Sequence, residues 1–96
     1  MINFDVGERK NIWIEIKERE GKKFNIRSAN CAIYDSSGKK LAEGLATIEG
    51  QKIYSLVDSS KLGPNRIYQA RFIYIVGNET LVERIFFKVV GISGRA

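Results

Sequence analysis

Side chains suited to catalysis are scarce and isolated in this chain of 96 residues. There is no histidine, which removes the usual general base, the Ser-His and Cys-His nucleophile pairs and imidazole metal ligands. The single cysteine, Cys31, sits within a run of apolar alternation. A thiol becomes a nucleophile beside a cation or a base, and Cys31 has no histidine to serve, so it reads as a buried structural residue. Zinc needs more sulfur and imidazole ligands than the composition supplies. Asp35 and Asp58 each precede a serine pair, Ser36-Ser37 and Ser59-Ser60. Brought together, the two carboxylates would offer oxygen ligands to calcium. Taken separately they are turn caps, because Asp and Ser side chains bond the backbone two residues on. The glycines are dispersed, and no glycine-rich loop opens a helix in the way a phosphate site requires. No catalytic residue, cofactor or metal is expected, and the chain reads as non-enzymatic.

Two features bear on binding instead. Trp13 opposes the isoleucine face of its strand, where an indole could stack on a sugar or an unpaired base; the alternative is that it covers a sandwich edge. The net charge is +5 and the pI is near 9.5, which permits an anionic partner. The basic residues are interleaved with acidic ones, as in Glu15, Lys17, Glu18, Arg19 and Glu20. No Lys/Arg tract builds up to follow a phosphate backbone, so nucleic acid is not the expected partner.

The elements that position these residues are strands. Apolar and polar residues alternate between turn clusters, and no long helical period appears. Ile12, Ile14 and Ile16 share one face of a strand over 11–17, with Trp13 on the other. A turn at Gly21 and a short extension at Phe24 and Ile26 follow. Ala29, Cys31 and Ile33 share a face of the next strand, which ends at the turn Asp35-Ser36-Ser37-Gly38. A strand over 40–48 is expected to bend or bulge at Gly44. Gly50 turns the chain into a strand over 52–58, with Ile53, Ser55 and Val57 opposite Tyr54 and Leu56. Pro64 keeps the irregular stretch before position 66 out of a central strand. The tail 93–96 is expected to be loose.

The last third is the strongest hairpin, with strands over 66–76 and 81–90 flanking Gly77-Asn78-Glu79-Thr80. If Val76 lies opposite Leu81, Phe72 meets Ile85 and Tyr68 meets Val89; a tighter two-residue turn shifts the pairs but keeps each side chain on its face. The face opposite Tyr68, Phe72 and Phe87 is not cleanly polar. Ile73, Ile75, Val82 and Phe86 lie on it with Arg84 and Lys88. A solvated sheet face alternates better than this, so either another element covers it, such as amino-terminal residues Ile2, Phe4 and Val6, or a protein partner does. These six hairpin residues are the candidate interface, for a second copy or another protein.

Leu62-Gly63-Pro64-Asn65-Arg66-Ile67-Tyr68 resembles the Leu-x-Pro-x-x-x-Tyr turn before the sixth strand of fibronectin type III modules. The resemblance implies a tyrosine corner, with the Tyr68 hydroxyl bonded back to the preceding loop, and makes Leu62, Pro64 and Tyr68 a structural corner. A wider pattern runs through Phe24, Ile26, Ala29, Ile33-Tyr34-Asp35, Gly38, Leu41, Gly44, Ile48, Tyr68, Phe72, Gly77 and Thr80-Leu81. It resembles the Ig-like β-sandwich modules of tailed-phage and prophage structural proteins, among them the amino-terminal domain of baseplate upper proteins.

The expectation is therefore one all-β domain over 1–96, an immunoglobulin-like antiparallel β-sandwich of about seven strands; a small open barrel uses the same alternation. From the resemblance follows a non-enzymatic structural or protein-binding module of a phage or prophage tail or baseplate. Its partners would be other virion proteins or itself. The alternative is a carbohydrate- or nucleic-acid-binding sandwich. One cysteine allows no internal disulfide, the start shows no signal-peptide pattern, and the apolar runs are too short to span a bilayer. A cytoplasmic product, carried into a virion, with no membrane partner, completes the expectation.

Overall fold

Period-two alternation becomes strands wherever one face can be buried, and the computed structural model, which describes residues 1–17 and 25–91, places eight of them. They are β1 (Ile2–Asp5), β2 (Arg9–Glu15), β3 (Ile26–Tyr34), β4 (Lys40–Leu45), β5 (Thr47–Glu49), β6 (Lys52–Asp58), β7 (Arg66–Val76) and β8 (Glu79–Val90). One sheet has the order β1-β8-β7-β3-β4 and the other β2-β6-β5. The two sheets bury their apolar faces against each other, so the expected all-β, immunoglobulin-like sandwich is the fold. No described helix is long and apolar enough to cross a membrane. The expected turn at Gly21, the extension at Phe24 and the tail 93–96 lie outside the described residues.

The core joins the faces that alternation assigned inward. Ile12, Ile14 and Ile16 with Ile53 and Val57 meet Ala29, Cys31 and Ile33 from β3, Ala70, Phe72 and Tyr74 from β7, and Phe87 and Val89 from β8. Phe4, Phe72, Phe87, Ile12, Ile53 and Val89 are fully buried, each contributing roughly 1.5–3 kcal/mol relative to exposure. Phe87 is the hinge of an aromatic cluster, its ring centroid 5.1 Å from Phe4 and 5.7 Å from Tyr68.

The structure fixes the hairpin register and the strand count, and it revises the single strand expected over 40–48. The hairpin closes through the tighter turn: Val76 pairs with Glu79, so Phe72 meets Glu83 and Tyr68 meets Phe87. Gly77 takes the positive φ of 59° that this two-residue turn needs. The stretch 40–48 is not one strand bent at Gly44. It is two strands, β4 and β5, which belong to different sheets and break at Ala46. Finally, the strands number eight among the described residues, and one pairing is parallel: β1 docks beside β8 with Phe4 opposite Val89.

Two polar clusters hold the loops at one end. The Tyr68 hydroxyl donates to the Gly63 carbonyl at 2.9 Å, a bond back to the preceding loop; Asn65 lies in the same turn with a φ of 60° and an N–H bonded to the Val89 carbonyl. Ser59 is buried in a short 3-10 turn, Ser59–Lys61. Its hydroxyl donates to the Asp5 carbonyl at 2.6 Å and accepts from the Glu8 N–H at 2.9 Å, while its own N–H reaches the Glu8 carbonyl at 2.9 Å. One small side chain thus ties the β1–β2 turn to the end of β6.

Candidate functional site

The candidate interface residues lie together on the outer face of the five-stranded sheet. In antiparallel β7 and β8, Ile67 pairs with Lys88, Gln69 with Phe86, Arg71 with Arg84 and Ile73 with Val82. Ile75 follows at the hairpin end, opposite Thr80. Because Tyr68, Phe72 and Phe87 point into the core, the alternate residues must point out. Phe86 remains 51% exposed, Ile67 44% and Val82 42%. The amino terminus does not cover them. It joins the sheet at its edge as β1 and sends Phe4 into the core.

Charge on this face has one sign near its centre. Arg71 and Arg84 stand directly opposite, an arrangement that destabilises unless one is drawn away. Arg71 is drawn away: its Nε and Nη2 donate to the Gln69 Oε1 at 2.9 and 2.6 Å, and its guanidinium lies 4.1 Å from the centroid of the Tyr34 ring on β3. Arg84 and Lys88 are exposed, and neither joins an ion pair among the described residues.

Beside Phe86 the face dips into a notch of about 260 Å³, whose walls include Tyr34, Asp35, Gly38, Ile67, Arg71 and Phe86. Its far wall is the β3–β4 turn. Asp35 Oδ1 holds that turn by accepting from the Ser37 N–H at 2.9 Å, the Ser37 hydroxyl at 2.6 Å and the Lys39 N–H at 2.9 Å. Tyr34 and this turn are functional candidates that reading the sequence missed. Tyr34 was legible as an outward residue of β3, but nothing local placed β3 next to β7.

The two aspartates and the cysteine resolve into structural roles. Asp58 Oδ1 accepts from the Ser60 N–H and hydroxyl at 3.0 and 2.6 Å, so both aspartates act as turn caps. Those hydrogen bonds hold both carboxyls below their ordinary pKa. Cys31 is a buried free thiol, and desolvation pushes its pKa up, the opposite of what a nucleophile needs. Among the described residues no group of three or more His, Cys, Asp or Glu side chains could hold a metal ion. Trp13 is half exposed on the smaller sheet, paired across strands with Tyr54. The Lys52 Nζ lies 4.6 Å from its ring centroid, so one face of the indole already has a cation on it.

No protein-family model and no curated protein matches the chain. Among solved structures it is similar to CopC from Methylosinus trichosporium OB3b, with a TM-score of 0.66 and 16% identity, over 99% of this chain and 88% of that one. A likeness at this identity establishes the sandwich fold. It points away from a phage structural role, and the expectation of a tail or baseplate component is corrected accordingly. The physical reason is visible in the residues that carried that expectation. Ala29, Ile33 and Phe72 are core, and Gly38 and Gly77 are positive-φ turn positions. Such a pattern reports how a sandwich is built and carries no information about its role.

Proposed function

We propose that this chain is a non-catalytic binding domain that presents the outer face of its larger sheet to an acidic, aromatic-bearing segment of a partner protein. The observation that carries the reading is Phe86, half exposed on this face and flanked by Arg84 and Lys88, cations with no ion pair among the described residues. An exposed aromatic beside arginine, next to a notch of side-chain size, matches the anchors that dominate binding energy at interfaces. Half of an aromatic side chain is on the order of 100 Å², so covering Phe86 is worth about 2.5 kcal/mol at 25 cal/mol/Å². The like-signed charge selects the partner. A second copy laid face to face brings cation against cation, whereas an acidic segment gains electrostatic steering and salt-sensitive association. The missing histidine and the desolvated thiol support the non-catalytic half of the reading.

A peptide library displayed on yeast, selected on the wild-type domain and counter-selected on Phe86→Glu, tests this. The expected enrichment is an aromatic residue flanked by Asp and Glu, with binding that weakens as salt rises. Enrichment of basic sequences, or of peptides indifferent to Phe86→Glu, overturns it.

A further inference from the structure

We infer that the outer edge of β4, which no other described strand pairs with, is a self-association site, at which two copies of the chain pair as antiparallel strands. This goes beyond the reading of the outer face and uses different residues. β4 ends the five-stranded sheet, and all six of its residues are exposed. Its inner side pairs with β3, Gly44 opposite Cys31 and Ala42 opposite Ile33. The bond from the Ala46 N–H to the Ala29 carbonyl, 2.9 Å, fixes the phase. Residues 42, 44 and 46 turn their backbone groups toward β3, so Glu43 and Leu45 direct theirs to the open edge. Such an edge is a template for another strand unless proline, charged side chains, a bulge or a covering element guards it; the charges of β4, Lys40 and Glu43, are paired with each other. β4 has no proline. Its bulge, where Leu41 is the extra residue opposite the Ile33–Tyr34 step, falls at the outermost pair of such a ladder and leaves Ala42 to Leu45 regular. Leu45 is 86% exposed and Leu41 42%.

The sequence of the edge names the occupant. Leu41-Ala42-Glu43-Gly44-Leu45 has the same character read in either direction. Antiparallel pairing centred on Glu43 therefore sets Leu41 of each copy against Leu45 of the other, and Ala42 against Gly44. The cost is Glu43 facing its own copy, since like charges directly opposite destabilise a pair. Lys40, with its Nζ 3.2 Å from the Glu43 carboxylate, offsets part of that cost. A two-fold axis at this point runs perpendicular to the sheet, so both outer faces look the same way. The two copies of β8 are then seven strand spacings apart, about 34 Å at ~4.8 Å each. One partner bearing two acidic segments could engage both.

Sedimentation velocity of the full chain, over a concentration series reaching millimolar, tests the inference. A monomer–dimer equilibrium is expected. Leu45→Lys should weaken it by about tenfold or more, and Glu43→Gln should tighten it several-fold by removing the facing charges. Leu45 makes so little contact that the substitution leaves the fold intact, which circular dichroism checks. A monomer at every concentration overturns the inference. So does a dimer that Leu45→Lys leaves unchanged, or one that Phe86→Glu dissolves, since the contact would then lie on the outer face.

Discussion

Replacing Tyr68 by phenylalanine removes one oxygen and leaves the ring. The ring stays buried and keeps its contact with Phe87, 5.7 Å between centroids, so the change isolates the 2.9 Å bond to the Gly63 carbonyl. An intramolecular hydrogen bond contributes about 0.5–1.5 kcal/mol net, and an acceptor left buried without a partner costs about 1–3 kcal/mol. Gly63 is only half-buried, so water can reach part of what the hydroxyl leaves, and the expected loss is about 1–1.5 kcal/mol. For a domain of this size that is roughly 4–12 °C in Tm. Urea unfolding should show a lower midpoint at an unchanged m-value, because the same surface is exposed on unfolding. A loss below about 0.3 kcal/mol, well under the range for one hydrogen bond, would reduce Tyr68 to an ordinary core aromatic.

Other consequences follow from the same contacts. Ser59→Ala deletes a buried hydroxyl that both accepts from Glu8 and donates to Asp5; it should cost about 2 kcal/mol in chemical denaturation, more than Ser60→Ala on the exposed side of the same turn. Asp35 and Asp58 have folded pKa values below their ordinary one, so their contribution is complete above the usual carboxylate range and is lost as pH falls through the folded values. Stability measured from neutral pH downward should therefore decline in acid, and Asp35→Asn should flatten the decline; an unchanged slope would contradict the capping role. Cys31 should react with a thiol reagent far more slowly than a free thiol at neutral pH, being buried with a raised pKa, and should reach the free rate in denaturant. Fast labelling of the folded domain would contradict its placement in the core.

How much of this was legible in the sequence follows from what alternation encodes. It assigns each side chain to a face, and it did so correctly for Ile12, Ile14 and Ile16, for Ala29, Cys31 and Ile33, and for both strands of the last hairpin. The Tyr68 corner was legible because proline and tyrosine at that spacing have a local consequence. Alternation does not encode which strand lies beside which. The division of 40–48 between two sheets left no mark, since the apolar and polar pattern runs on through Ala46 while the backbone crosses over. The parallel docking of β1 depends on Phe4 finding Phe87 and Val89 across the whole chain length. The notch beside Phe86 was hidden for the same reason: Tyr34 and Arg71 meet only because β3 pairs with β7. The six interface candidates were found by a breach of alternation, and the structure puts them on one face that no other described element covers.

The most direct test of the outer face as the binding surface is chemical-shift mapping of the labelled domain. The titrant is a capped acidic peptide carrying one phenylalanine among aspartates and glutamates, added at low and at moderate salt. Shifts are expected at Ile67, Arg71, Arg84, Phe86 and Lys88, fading as salt rises and absent in Phe86→Glu. Shifts centred instead on Trp13 and Tyr54, or a spectrum that the peptide leaves unchanged at low salt, would contradict it.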